Sequence, residues 1–298
     1  MKKICCPVCN SSHVNLVEKN SVDWIAFLYQ LFLQIDVAPY FKDIGTLSLY
    51  RCGDCRLGFF SPHVSAQQEL YQQLQKKDWY YPAIKEEYHY AAGYIEAGAK
   101  VLDIGCGPGY FKSYLEDAYY QGLDYSHSGK EILSEDVHEH IDRHPSYYDA
   151  LVLFQFVEHL EQPKDFLARA LSGLKKGGRL IVGVPYEDSY LQDFPLFPLN
   201  IPPHHLSLWN EEALKRLGEE LSLTLISLHQ PNLEIWEKPL FWLIFFLKKM
   251  GVLKKKRRLL LGFCTPIAYI LSLLATKCNW PVPVQKGATM IAVYQLDR

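Results

Sequence analysis

Short apolar runs alternate with amphipathic segments through the middle of the chain. "KVLDIG", "YYQGLDY", "DALVLFQF", "RLIVGVP" and "LTLISLH" are strand-like, while "GYFKSYLED", "PKDFLARALSGLKKGG" and "NEEALKRLGEEL" carry helical spacing. Such alternation predicts parallel strands joined by crossover helices in an open α/β sheet. Pro163 suits a first helical turn, Gly177 a helix stop, and Asn210 before Glu211 and Glu212 an N-cap with acids behind it. Two earlier helices, "AQQELYQQLQ" and "IKEEYHYAAGYIEAG", the second ended by Gly98, form a lead-in over 63–97. The last strand is "ATMIAVYQL", 288–296.

Two stretches break this rhythm. Residues 231–287 are too long for a plain loop and carry two apolar runs around a Lys/Arg cluster, the first too short to cross a bilayer, the second broken by Pro266. The expectation is a helical pair that packs on the domain, with peripheral membrane contact through 239–277 as the alternative. The other stretch, "DWIAFLYQLFLQIDVAPYF", separates two cysteine pairs.

A chain of 298 residues has room for one large α/β domain and an accessory module. A net charge of −2 argues against a surface built to wrap nucleic acid. The opening "MKKICCPVCN" has no apolar stretch behind its lysines, so the expected compartment is the cytoplasm. In a reducing compartment, Cys6 with Cys9 and Cys52 with Cys55 read as two C-x-x-C knuckles around one structural Zn²⁺, a zinc ribbon-like module over 1–62.

The chemistry starts at "VLDIGCGPGYF", 101–111. Asp103 ends a buried strand, where open α/β sheets bind ligands, and Gly105, Gly107 and Gly109 let backbone approach a ligand closely. The loop reads G-x-G-x-G rather than the dinucleotide G-x-G-x-x-G, with an acid two residues before its first glycine. A carboxylate there suits a cationic ligand better than a phosphate.

On these residues the chain resembles the class I S-adenosylmethionine-dependent methyltransferases, over roughly 91–228 and again from 288. The resemblance implies a Rossmann-like seven-stranded sheet with its last strand antiparallel, built from 98–230 and 288–298. It implies that Asp103, Gly105, Gly107 and Gly109 meet the methionine part of the cofactor, Asp124 the ribose hydroxyls, Cys106 and Gln155 the cofactor and Glu158-His159 the pocket mouth. About two dozen residues separate Asp124 from Asp149, so the adenine side is trimmed, with a short strand in "EILSEDV" and Asp136 as the adenine contact.

"NIPPHHLSLWN" follows the fifth strand, its prolines giving an extended approach to His204 and His205. His205, then His204 and His159, are the candidates for a base that deprotonates the acceptor; Tyr186 is a further pocket candidate. The cysteine module resembles those preceding methyltransferases of sugar and cell-envelope biosynthesis, which implies a small-molecule or glycan-precursor acceptor. The competing functions are a zinc-ribbon RNA methyltransferase and a non-catalytic binding protein on the same scaffold.

Overall fold

The computed structural model describes residues 3–254, 257, 260–284 and 286–297. Strand β1 (Val14–Ser21) pairs antiparallel with β2 (Thr46–Cys52), and β3 (Gly58–Ser61) extends this small sheet. Between β1 and β2 the apolar stretch folds as α1 (Val22–Leu33), capped by the Ser21 hydroxyl, which accepts from the Trp24 amide.

Helices α2 (Gln68–Gln75) and α3 (Glu86–Ala92) follow. Helix α3 stops earlier than its sequence suggests, capped by Gly93, while Gly98 (φ +78°) turns the chain into β4 (Lys100–Ile104). The remaining elements are β5 (Tyr119–Leu123), β6 (Ile132–Leu133), α4 (Val137–Asp142), β7 (Tyr148–Phe154), α5 (Pro163–Ala170), β8 (Leu174–Pro185), β9 (Ser207–Leu208), α6 (Glu211–Glu220), β10 (Thr224–His229), α7 (Lys238–Lys249), α8 (Leu261–Lys277) and β11 (Thr289–Gln295).

Seven strands form the main sheet in the order β10-β11-β8-β7-β4-β5-β6. The last strand, β11, runs antiparallel to both its neighbours, β10 and β8, as expected from the sequence, and the other pairs of this sheet are parallel. The order reverses between β4 and β7, which makes the carboxyl ends of these strands the natural crevice.

Three local expectations change. The segment after Gly109 forms a 3₁₀ turn, Tyr110–Tyr114, instead of a full crossover helix. Helix α5 ends at Ala170, and Gly177 (φ +77°) lies within β8, in a bulge between the pairs Tyr148↔Leu174 and Ala150↔Arg179. Helix α8 runs through Pro266, which forgoes the bond to the Gly262 carbonyl, without a break.

Leu102 and Ile104 pack on one face of the main sheet with Leu151, Leu153 and Leu180, and the cysteine knuckles join that same core. Val101, Val152, Ile181 and Ile291 pack on the other face against Tyr88 and Phe111. A separate apolar core unites α1, the segment around Phe194–Ile201, α7 and α8. The two stretches that interrupt the strand–helix rhythm therefore pack on each other.

Candidate active site

The tips of β4, β5 and β7 open onto a cavity of about 430 Å³, a size suited to a small ligand. Asp103, Gly105, Cys106, Asp124, Gln155, His159, His204 and His205 all line it. Gly107 and Gly109 do not line it, and their positive φ angles (52° and 77°) turn the loop. Gly105 has φ +72°, and a Cβ there would sit 2.2 Å from the Phe156 ring, so only glycine fits.

On this wall the carboxylates are held by short-range partners. Asp124 Oδ2 accepts from the Gly107 amide at 2.9 Å, and Oδ1 from the Ser126 and His127 amides at 2.7 and 3.0 Å. Oδ2 keeps capacity for another donor. Asp103 Oδ2 accepts from the Tyr120 hydroxyl at 2.8 Å, yet burial pushes its carboxyl up to about 7.

Asp136, the expected adenine contact, caps α4: Oδ1 accepts from the His138 and Glu139 amides at 2.9 and 3.0 Å, and Oδ2 from Tyr125. Its neighbours Glu135 and Val137 line the cavity in its place. The trimmed side is as short as expected, with β6 only two residues long. Tyr186 does not line the cavity; it bridges to Trp209 beside the cysteine segment.

The opposite wall is assembled from distant segments. Pro202, Pro203 and His204 form a turn, not an extended approach, because the His204 and His205 amides both donate to the Ile201 carbonyl, at 3.1 and 3.2 Å. Helix α1 supports this turn: the Tyr29 hydroxyl donates to the Ile201 carbonyl at 2.8 Å and accepts from the His204 amide at 3.3 Å. Beyond it, β9 pairs with β3, and the Leu206 amide donates to the Glu158 carbonyl at 2.8 Å. The cysteine segment thus holds the histidine pair in place through a shared sheet.

Nitrogen atoms of His159, His204 and His205 lie within 4.8 Å of one another. Burial keeps them neutral, driving His159 down to about 4, His204 to about 3 and His205 well below its usual value. His204 Nε2 is 2.9 Å from the Tyr80 hydroxyl and its Nδ1 3.0 Å from the Leu199 carbonyl. His159 Nδ1 is 2.7 Å from the His204 carbonyl and 3.2 Å from the Tyr71 hydroxyl.

Glu158 sits beneath them, fully buried, with neither carboxyl oxygen hydrogen-bonded among the described residues and its pKa raised by burial to about 8. Its Oε1 is 3.8 Å from His205 Nε2 and 3.9 Å from His159 Nε2, and His205 Nδ1 also has no partner. Orphaned buried polar groups are expensive and concentrate where a ligand completes them.

Sequence reasoning missed a third group, from the lead-in: Tyr71, Tyr80, Tyr81, Lys85 and Glu87 line the cavity. Lys85 Nζ donates to Glu87 Oε1 at 2.9 Å, and Glu87 Oε2 accepts from Gln155 Nε2 at 3.2 Å. Burial alone would lower the Lys85 pKa; Glu87 outweighs it and the net shift is upward. The aromatic cluster "DWYYP" was the available signal.

In the cysteine segment, Cys6 and Cys55 sulfurs are 3.6 Å apart and Cys9 and Cys52 sulfurs 3.5 Å, with all four within 4.8 Å. Thiolates at about 2.3 Å from a tetrahedral Zn²⁺ stand about 3.8 Å apart, so the quartet fits that ion with little movement.

Residues 75–228 match the model of a methyltransferase domain, just over half of the chain. The ubiquinone biosynthesis O-methyltransferase of Klebsiella pneumoniae is 30% identical over 99 residues, 28% of this chain and 41% of that protein. The enzyme of the same name from Yersinia enterocolitica is 27% identical over 97 residues, 27% of this chain and 40% of its own length. The chain therefore spans well under half the length of these relatives. Among solved structures, a SAM dependent methyltransferase from Archaeoglobus fulgidus matches 77% of this chain and 100% of its own at 17% identity and TM-score 0.47. A cyclopropane synthase from Mycobacterium tuberculosis matches 70% of this chain and 82% of its own at 13% identity and TM-score 0.41. The family-model match and the observed strand order agree, and the chain belongs to the methyltransferase domain family.

Proposed function

We propose that this protein transfers a methyl group from S-adenosylmethionine to a small-molecule or glycan-precursor acceptor, of the kind used in cell-envelope biosynthesis. One observation carries the reading: Asp103, Gly105 and Asp124 share a single cavity with His205, and Glu158 is buried 3.8 Å behind the His205 ring. The cofactor supplies a methyl group on a cationic sulfur, and in-line attack by the acceptor needs alignment above all.

The chain's own residues do the rest. Asp124 offers the open side of Oδ2 to ribose hydroxyls, and buried Asp103 ionises opposite the cofactor's positive charge. His205 takes the acceptor's proton, and Glu158, 3.8 Å away, balances the imidazolium so formed. His159 and His204 position His205 and the acceptor, and the tyrosines of the lead-in exclude water. Cys6, Cys9, Cys52 and Cys55 hold a structural Zn²⁺ that keeps β3, and through it β9, in place.

Calorimetry with S-adenosylmethionine tests the cofactor half; absence of heat rejects the enzyme reading in favour of a binding scaffold. Transfer of label from the cofactor to envelope-sugar intermediates tests the acceptor class, and transfer to RNA alone would replace it.

A further inference from the structure

Helix α8 is amphipathic in an unusual sense. The side packed inside carries small or polar residues, among them Thr265, Ala268, Ser272 and Ala275. The side facing out carries Phe263, Ile267, Ile270 and Leu274, spaced by four, three and four residues along one stripe. Phe263 is 79% exposed and Ile270 58%. Trp280, just past the helix, is also exposed, and Phe27 of α1 lies 3.9 Å from where a Cβ on Gly262 would stand, so the patch continues onto α1. A contiguous exposed apolar stripe marks an interaction surface.

Charge decides what covers it. Residues 238–288 hold ten of the chain's 31 basic residues and no acid, leaving 21 basic residues against 33 acids elsewhere. Lys249, Lys254 and Arg257 are exposed around the turn from α7 to α8. An isologous pairing with a second copy would press this basic turn against itself. An anionic bilayer meets both features at once, accepting aliphatic and aromatic side chains at the acyl boundary and cations at the head groups. No helix among the described residues is long and apolar enough to cross a membrane, which leaves the interfacial arrangement.

We infer that the exposed face of α8 and the basic turn before it dock this protein on the surface of an anionic lipid bilayer. The cavity shares a wall with the same hairpin, since Trp236 and Leu240 at its start line the cavity. The docked protein therefore keeps its pocket next to the lipid surface.

Flotation of the full chain with vesicles tests this without reference to catalysis. Binding is expected to phosphatidylglycerol/phosphatidylethanolamine vesicles at moderate salt, and at least tenfold weaker to pure phosphatidylcholine. Phe263→Glu with Ile270→Glu should reduce binding at least tenfold with the thermal midpoint unchanged. Lys254→Glu with Arg257→Glu should reduce it too, each near-surface cation contributing roughly fivefold. The inference is overturned if the wild type stays unbound, if both vesicle types bind equally, if the variants bind as the wild type does, or if light scattering shows a dimer that the Phe263→Glu/Ile270→Glu change dissolves without any vesicle binding.

Discussion

The two walls of the cavity differ in how their polar groups are satisfied. On the strand-tip wall, Asp103 and Asp124 accept bonds from Tyr120 and from amides of the adjoining loops, so the geometry is fixed before a ligand arrives. On the histidine wall, Glu158 and His205 Nδ1 are buried without hydrogen-bond partners among the described residues, and their protonation is far from ordinary. On the proposed reading the first wall binds the cofactor and the second carries the proton transfer. Preorganised binding needs carboxylates held in place with capacity to spare, whereas proton transfer needs groups whose protonation is finely balanced.

Separate damage to each wall should break this contrast if it is wrong. His205→Ala is expected to lower turnover about 10³-fold with the calorimetric Kd for the cofactor within threefold of wild type; comparable losses in both would merge the two walls. Cys52→Ser, or zinc removal by a chelator, should lower turnover on the order of 10²-fold, because β9 loses its partner strand, again sparing cofactor affinity. Stopped-assay turnover beside calorimetry separates the two effects. Asp124→Asn acts on the other side, weakening cofactor binding about thirtyfold, the worth of one hydrogen bond to a charge.

The smallest effect sharpens the assignment of Glu158. Protonated, it cannot balance an imidazolium on His205, so turnover should fall about tenfold per pH unit below about 8, and Glu158→Gln should flatten that profile. Stability moves the opposite way. The folded pKa lies above the unfolded value near 4.5, so the stabilising contribution is complete below pH 4.5 and lost as pH rises through about 8. Thermal midpoints across that window should show the loss in wild type and not in Glu158→Gln.

The strand-tip wall was legible because it is local: strand, acid and glycines are consecutive, and each residue's role follows from its neighbours in sequence. His204 and His205 were legible as candidates, but not the turn that carries them, since its shape depends on Tyr29, far away in the chain. Lys85 and Glu87 escaped because "IKEEYHY" looks like the polar face of a surface helix. Glu87 meets Gln155, 68 residues further on, a contact that no local pattern encodes. The union of α1 with α7 and α8 was equally invisible, because two apolar segments two hundred residues apart announce that each needs a partner and not which one.

That union has a consequence for how such a catalyst changes its selectivity. The props of the histidine wall, α1, β3 and the residues leading to Ile201, lie outside the seven-stranded scaffold, and α1 shares its core with the α7–α8 hairpin. On the proposed reading, acceptor selectivity therefore resides in both inserts together. Grafting either insert alone into a related scaffold would leave half a core exposed, and only their exchange as one block would transplant a working acceptor side.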